Sequence, residues 1–543
     1  MSRFEARARD GLARISLFEH GDRSMLLPSA VDADRLFPSL AHREQTNVPL
    51  AADPGFVRRY HRAGSDQPVS VHPAAAGEAA SGDCVMVANW HTALANPRNY
   101  VAWLIALKRR VPPDTAWYAP AAALPSTACL LVYSGFDLFD FRGVDLKTAQ
   151  GVFCMPEGEF PAETMDSGVC GCEGCTAGDL RAHNRRALIG EIALIRRFIQ
   201  QSQIRELMEA RCRADANQVA IVRLLDREYA FLEPALPVAR SVPMRANSAE
   251  SQNRAEVRRF AERVVARFVP PRTDVAVLLP CSARKPYSLS QSHRRFAAAI
   301  ADRAHELIVT SPLGVVPREL ERIYPAGHYD VPVTGYWDRE ESALIADILA
   351  RYLMKHRYRR VIAHLEGGAL AVAESAAEEA EIELERTCRG RPTGEESLRE
   401  LSAALDGERR RPRRMVEGAV SWQFGIGIDT TGMSVRGRGA QLAVVRGKTQ
   451  LFSIDPGTGL LRPTFDGWEL LPGIYRVAID DFVLQGDVLA PGVLAADKEI
   501  RKGDEVLVQG SHALATGRAA MGADEMLRSR RGIAIRVRKV KKL

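Results

Sequence analysis

No stretch of this chain approaches the ~18 consecutive apolar residues that a membrane-spanning helix requires. The amino terminus, Met1-Ser-Arg-Phe-Glu-Ala-Arg7, carries no apolar core of the kind found in a signal peptide. Charge of one sign is in mild excess only. Lys and Arg number 74 against 67 Asp and Glu, a net +7, which by itself selects no partner. A disulfide framework is missing as well: nine cysteines is an odd number, and the crowding of Cys170, Cys172 and Cys175 points to metal or catalytic thiols in a reducing compartment. The expectation is a soluble, cytoplasmic protein without a membrane partner.

What is present is ordinary globular composition, 46% hydrophobic and 26% charged, in 543 residues, enough for roughly three or four domains. Residues 1–233 mix short apolar runs (Val85–Val87, Cys129–Tyr133) with helical patterns and close on a helix around Leu188–Glu209, where Leu188, Ile192, Ile195 and Ile199 share a face. Residues 234–255, with Pro234, Pro237, Pro243 and several serines, read as a linker. Residues 256–392 alternate strand 275–279, helix 293–306, strand 307–310, helix 340–356, strand 360–365 and helix 369–387, a pattern that predicts a central α/β domain with a mainly parallel sheet. A polar segment, Arg389–Arg414, precedes an all-β tail: a small β-rich domain at 413–470, with strands at Gln441–Arg446 and Thr449–Ile454, and a strand-rich block at 472–543. In the last strand Ile533, Ile535 and Val537 alternate with Ala534, Arg536 and Arg538, one face apolar and the other largely basic. The fold class is therefore multidomain α/β plus all-β. Arg409–Arg414 and Arg528–Lys542 are dense basic runs of the kind that neutralise phosphates, although any one such run is as readily a solvated face.

The most informative segment is Pro280–His293, PCSARKPYSLSQSH. It follows the brief, branched run Val275–Leu279, which reads as a buried strand, and the carboxyl ends of such strands are where α/β sheets hold ligands. Cys281, Lys285, Tyr287, Ser290 and His293 place a thiol, an amine, a phenol, a hydroxyl and an imidazole there. The plainer alternative is a polar loop that caps the helix after it.

Cys170-Gly-Cys172-Glu-Gly-Cys175 followed by His183 offers three thiolates and an imidazole, a set that tetrahedral zinc accepts readily. With four protein ligands such a site is closed and structural. Cys154, upstream, has no matching partner and is left out.

This spacing, ending in an Ala-His-Asn step that opens a long helix, resembles the zinc site of tRNA-guanine transglycosylases, and Trp117–Pro120 with Leu130–Phe153 resemble late barrel strands of those enzymes. There is no Asp-Ser-Gly-Gly-Phe-Gln-like element, and the zinc site comes too early for a complete eight-stranded barrel, so the resemblance implies a truncated TIM-barrel-like domain. Pro280, Cys281, Lys285, Pro286, Tyr287, Ser290 and His293 fit P-C-x3-K-P-Y-x2-S-x2-H, a pattern that resembles archaeosine synthases, archaeal paralogues of the transglycosylases. Thr310–Glu321 and Tyr324–Trp337 are similar to that family's central domain. Val483–Val493, Lys502–Val506 and Ala515–Arg518 resemble a PUA pseudo-barrel.

That resemblance implies addition of an amine nitrogen, from lysine or glutamine, to the nitrile of 7-cyano-7-deazaguanine at position 15 of tRNA. Cys281 is then a candidate nucleophile giving a thioimidate, or else a small structural residue. Lys285 and His293 are candidates for lowering the thiol pKa or moving protons. Tyr287 would meet the base, and Ser290 would bind it or cap the helix. Pro280, Pro286, Thr310, Ser311 and Gly314 would line the pocket, with Tyr329, Asp330 and Trp337 as weaker candidates, of which Asp330 would bind the donor's amino group. Arg518, Arg536, Arg538 and Lys539 would grip RNA. A separate radical SAM enzyme that cleaves a lysine adduct, and a homodimer, are further partners implied. Base exchange and a non-catalytic tRNA-presenting role are the alternatives.

Overall fold

The computed structural model describes residues 2–41, 48–61, 67–75, 82–165, 168–332, 336–411, 415–438 and 441–543. Pro412, Arg413 and Arg414 of the first basic run, and Val333, Thr334 and Gly335 of the Tyr324–Trp337 segment, lie outside the described residues. The chain divides into two compact units: Met1–Pro237 with Ala478–Lys502 and Ala519–Arg536, and Val238–Val477 with Gly503–Arg518 and Val537–Leu543. Among the described residues no helix is long and apolar enough to cross a membrane.

The first unit opens on an antiparallel meander, Ser2–Asp10, Ala13–His20 and Arg23–Leu27. A five-stranded parallel sheet follows, in the order Ser29–Val31, Leu138–Asp140, Ala116–Tyr118, Cys84–Met86, Val69–Ser70. Arg14 ties the two together: its guanidinium donates to both carboxylate oxygens of buried Asp137, at 2.9 and 2.7 Å, and Asp137 accepts in turn from the Trp117 N–H. Such a buried pair needs every donor occupied, and Arg14 also reaches the carbonyls of Pro113 and Thr115.

Two sequence expectations fail here. Leu130–Tyr133, the start of the stretch that resembles late barrel strands, lies in the helix Pro125–Tyr133. Pro125 suits the first helical turn, and a run buried on every side has no periodicity to reveal its type. The helix expected over Leu188–Glu209 is two helices, Leu180–Gln200 and Ile204–Arg211, broken at Ser202, which sits at φ +55°. Ile204 restarts the chain by donating its N–H to Asp10.

The basic run at the carboxyl end also behaves differently from the phosphate-binding expectation. Arg528 donates to the carbonyls of Lys108, Arg109 and Val111. Arg530 pairs with Asp114 and Arg531 with Asp83. These three arginines fasten the carboxyl-terminal segment to the rest of the first unit.

The second unit is built on a five-stranded sheet in the order Gly314–Pro317, His305–Thr310, Val275–Pro280, Arg360–Ala363, Leu384–Arg386. Three of its four pairings are parallel; Gly314–Pro317 runs antiparallel. Val275–Pro280 is central, and Val275, Val277 and Leu279 share a core with Phe296, Ile300, Ile362, Leu401 and Leu405. Leu401 lies in the helix Glu395–Ala404, inside what the sequence presents as a polar separator, so the apolar residues of that segment complete the core. The linker reading is likewise modified: Met244–Arg245 forms a parallel pair with Tyr329–Asp330.

Helix bounds shift for local reasons. Gln291–Ile300 stops early because Ala301 and Asp302 take φ +48° and +56°, which lets His305 begin a strand. The helix at Gly367–Glu379 ends before a short strand, Leu384–Arg386. Arg339–His356 packs against Gly314, where φ is +76° and a Cβ would stand 2.6 Å from an Ile348 methyl, so this turn admits glycine alone. The block after 413 is not all strand: Met415–Phe424 is a buried helix, followed by four antiparallel strands, Met433–Arg436, Ala443–Arg446, Thr449–Ile454 and Leu461–Pro463. The carboxyl-terminal region forms a six-stranded sheet in which the long strand Ile533–Lys542 lies between Val488–Leu489 and Ala513–Ala519. Ala534 and Ile535 are both buried there, so the expected simple alternation is offset at its start, where the pairing with Val488–Leu489 is irregular.

Candidate active site and metal centre

The order of the central sheet reverses at Val275–Pro280: the next strand in sequence lies on one side and Arg360–Ala363 on the other. Ligands in open α/β sheets bind outside the carboxyl ends at such a reversal, which is where Pro280 delivers Cys281.

Cys281 is half-buried and hydrogen-bonded to the Thr310 hydroxyl. Thr310 ends the neighbouring strand, and its Oγ1 lies 2.7 Å from the Tyr329 hydroxyl, which lies 2.7 Å from that of Tyr287. A hydroxyl chain thus runs from the thiol into the core through three fully or nearly fully buried side chains. Lys285 Nζ sits 4.1 Å from the centre of the Tyr329 ring, a cation–π distance. Burial pushes the Cys281 thiol above its ordinary pKa, while the Thr310 hydrogen bond and the Lys285 charge pull it down. Burial lowers Lys285, opposed by Cys281 and Asp330. Burial raises both phenols. Cys281 is therefore a protonated thiol at neutral pH rather than a resting thiolate.

His293 is corrected from proton shuttle to structural hub. It is 1% exposed, and burial followed by the adjacent Arg318 guanidinium brings its pKa down to about 3. Arg318 donates to Nδ1 at 2.7 Å and pairs with Glu306 and Glu321. Glu321 then accepts from the Ser288 N–H, fixing the motif loop. Ser290 caps the helix Gln291–Ile300, its Oγ accepting from the His293 N–H. Pro280 closes the central strand and Pro286 precedes the turn Tyr287–Leu289. Ser311 is buried and donates to the Glu341 carboxylate, a partner that sequence reading missed because Asp338 and Glu341 look like an ordinary acidic helix start. Asp330 is exposed and acts on Lys285 through its charge.

Cys170, Cys172, Cys175 and His183 come together with all four donor atoms within 4.8 Å of one another. Gly174 makes this possible: a Cβ there would stand 2.5 Å from the His183 backbone nitrogen. Nδ1 of His183 faces Cys175 Sγ at 3.2 Å, and Nε2 lies 3.1 Å from the Cys154 carbonyl. That carbonyl fixes the tautomer with its proton on Nε2 and frees Nδ1 as a ligand, so Cys154 serves through its backbone. The Cys175 N–H donates to Cys172 Sγ, which lowers that thiol to about 6. These residues fit a metal such as zinc.

Of the expected RNA-binding residues, Arg518 pairs with Asp455 and Glu505, and Arg538 with Glu505. Arg536 and Lys539 are exposed on the same strand.

A PUA domain profile matches residues 475–541, and a domain of unknown function, DUF5591, matches 257–405, the stretch that carries the hydroxyl chain. The archaeosine synthase of Haloferax volcanii is 36% identical over 99% of both chains. The archaeosine synthase subunit alpha of Methanosarcina acetivorans is 39% identical over 86% of this chain and 81% of that one. This chain belongs to the archaeosine synthase family. The family assignment places the PUA domain at its carboxyl end and fits the α/β-plus-β architecture. A more distant relative, the tRNA-guanine(15) transglycosylase of Methanobrevibacter smithii, is 26% identical over 77% of this chain and 65% of that protein.

Proposed function

We propose that this chain is a tRNA-modifying transferase that adds an amine nitrogen, from lysine or glutamine, to the nitrile of 7-cyano-7-deazaguanine at position 15 of tRNA. The observation that carries this reading is the Cys281–Thr310–Tyr329–Tyr287 hydrogen-bond chain with Lys285 beside it, at the reversal point of the sheet, in a member of the archaeosine synthase family.

With lysine the chemistry needs only the amine itself; with glutamine, water must first release the amide nitrogen as ammonia, leaving glutamate. The Cys281 sulfur attacks the nitrile carbon, one C–N π bond breaks, and the thiol proton ends on the nitrile nitrogen, giving a thioimidate. The amine then displaces the thiol and leaves a substituted amidine. A thiol that is neutral at rest suits this route, because its proton is the one the nitrile nitrogen takes. Lys285 polarises that nitrogen as charge develops, and Thr310 orients the sulfur. Tyr287 and Pro286 shape the wall against the base, with Ser290 holding the loop through its helix cap.

The metal is read as structural zinc, held by Cys170, Cys172, Cys175 and His183, whose bound charge would lock the loop onto the helix Leu180–Gln200. The first unit is read as a truncated TIM-barrel-like relative of the transglycosylase barrel. Arg536 and Lys539 make the RNA contacts of the PUA domain, while Arg518 and Arg538 shape that face through their acidic partners. The name subunit alpha of the Methanosarcina relative fits a separate partner enzyme, read as a radical SAM lyase. A homodimer rests on resemblance alone.

Base exchange is the second reading, favoured by the transglycosylase relatives. Mass spectrometry of nucleosides from nitrile-bearing tRNA, incubated with this protein and labelled lysine or glutamine, decides between them. A mass gain equal to intact lysine, or the amidine formed from glutamine, supports amine addition. Release of the base without an adduct overturns it.

A further inference from the structure

The first unit holds a cavity of about 620 Å3 that the chemistry above leaves unused, and no residue of the Pro280–His293 motif lines it. That volume lies within the range of small-molecule sites, about 300–1,000 Å3. Stretches distant in sequence enclose it: the turn at Gly11 and Leu12, the end of the helix Pro97–Arg110 with the two prolines beyond it, residues 230–235, and the carboxyl-terminal stretches 496–501 and 522–528. Gly522 lets the last of these close in, since a Cβ there would stand 2.9 Å from the Pro234 carbonyl oxygen.

The charge on the walls is uneven. Seven Lys or Arg side chains face two carboxylates, Asp524 and Glu525. The plainer role of such cations is to hold the fold together, and four of them do so: Arg528 pairs with Asp524, Arg9 with Glu525, Arg501 with Glu233 and Arg14 with Asp137. Both lining carboxylates are thereby taken, and Lys108, Arg109 and Lys498 have none from the lining to answer them. Arg109 and Lys498 are exposed. Lys108 donates to the Gly135 carbonyl at 2.7 Å, and its Nζ stands 3.7 Å from the centre of the Trp117 ring. An ammonium has three N–H groups, so one remains for a ligand. Burial, and after it the Arg14 guanidinium, hold this amine well below its ordinary pKa against the pull of Asp137. An anion in the cavity would supply the countercharge that Lys108 lacks.

Much of the remaining wall is apolar. Phe231 is half-buried, Leu527 is 50% exposed, and Pro112, Pro113 and Pro234 join them. Inorganic phosphate alone would leave these groups facing water, whereas a flat base covers them and stacks on an aromatic ring. None of Arg518, Arg536, Arg538 and Lys539, the residues tied to RNA above, lines the cavity.

We propose that this cavity binds a free nucleoside monophosphate, its phosphate held by Lys108 and Arg109 and its base laid against Phe231. Lys498 adds charge that draws the anion in. A ligand placed there touches the end of the helix Pro97–Arg110 and the carboxyl-terminal helix Ala523–Arg528 at once. Occupancy therefore reinforces the attachment that Arg528 makes to the carbonyls of Lys108, Arg109 and Val111.

The test is calorimetric titration of the full-length protein with AMP and with GMP, beside inorganic phosphate and adenosine as partial ligands. One nucleotide or both should bind at about one site per chain, with phosphate and adenosine each about tenfold weaker or more. Arg109→Glu, Phe231→Ala and Lys108→Met should each raise the Kd for that nucleotide about tenfold, and saturating nucleotide should raise the melting temperature of the wild-type protein. Should Lys108→Met or Phe231→Ala fold poorly, Arg109→Glu, at an exposed position, carries the comparison. Absence of binding by both nucleotides, equally tight binding of phosphate alone, or a Kd unmoved by Arg109→Glu overturns the proposal. So does stoichiometric displacement of the nucleotide by tRNA, which would assign the cavity to RNA.

Discussion

Thr310 Oγ1 stands 2.7 Å from the phenolic oxygen of Tyr329 and also bonds the Cys281 thiol, so one hydroxyl links the end of one strand to the reactive start of the next loop. Removing it takes the hydroxyl partner from the thiol and one of two hydroxyl partners from the Tyr329 phenol, worth about 1–3 kcal/mol. Thr310→Val should therefore shift the pH midpoint for alkylation of Cys281 upward, as read by peptide mass spectrometry, and lower adduct formation by roughly 10- to 100-fold. An alkylation midpoint that stays in place would show the hydroxyl to be idle.

Cys281→Ala and Cys281→Ser separate the covalent route from direct amine addition. With a thioimidate intermediate, both variants lose the adduct, by about 10³-fold or more, as removal of a nucleophile does elsewhere. A Cys281→Ala protein that keeps most of its activity would make direct addition, guided by position alone, the mechanism. Quenched-flow mass measurement of the intact wild-type protein adds a direct readout, since the intermediate links protein to tRNA.

His293 predicts a pH dependence of stability. Its folded pKa of about 3 lies below the ordinary 6.5, so between those values the unfolded chain binds more protons and stability rises with pH. Acidification from pH 6.5 toward 3 should lower the denaturation midpoint, and His293→Asn should flatten that slope. The measurement is a urea titration at several pH values for both proteins; parallel curves would assign the acid sensitivity elsewhere.

The metal cluster should behave as a folding site. Purified protein is expected to carry about one zinc per chain, and Cys172→Ser or Cys175→Ser should lose it together with thermal stability. Chelation that strips the ion without lowering the melting temperature would contradict a structural role.

The arginines of the last segment divide into two kinds. Arg536→Ala with Lys539→Ala should reduce the slope of log affinity for tRNA against log salt by roughly 0.7–0.9 for each phosphate no longer neutralised, with little effect on melting. Arg528→Ala and Arg530→Ala should instead destabilise the first unit, since they remove donors to Val111 and Asp114. A salt slope that responds equally to both pairs would mean that the two kinds are not distinct.

Much of the fold and site is legible in the sequence, and the failures have a common cause. The strand Val275–Pro280, the reactive loop and the Cys3His cluster lie within short segments whose residue types state their chemistry. Partners distant in the chain are what the sequence hides. Arg530 meets Asp114 across 416 positions, so its charge looks available for phosphate. His293 looks like a neutral-pH proton carrier because nothing nearby in sequence announces Arg318. Thr310 and Tyr329 read as pocket residues, yet that Thr310 meets the thiol and Tyr329 backs Thr310 is a matter of tertiary packing. Leu130–Tyr133 fails for a different reason: a run buried on all sides carries no period.

The two-residue ladder between Met244–Arg245 and Tyr329–Asp330 bears on where this protein can be cut. Met244 donates its N–H to the His328 carbonyl and Ala246 to that of Asp330, clamping Tyr329 on both sides. The stretch that resembles a spacer is thus part of the scaffold that holds the Tyr329 hydroxyl against Thr310 and Tyr287. Chimaeras between family members that splice at residue 250 would sever this clamp while leaving every motif residue intact. A join ahead of Val238, where the second unit begins, carries the clamp along with the chemistry it serves.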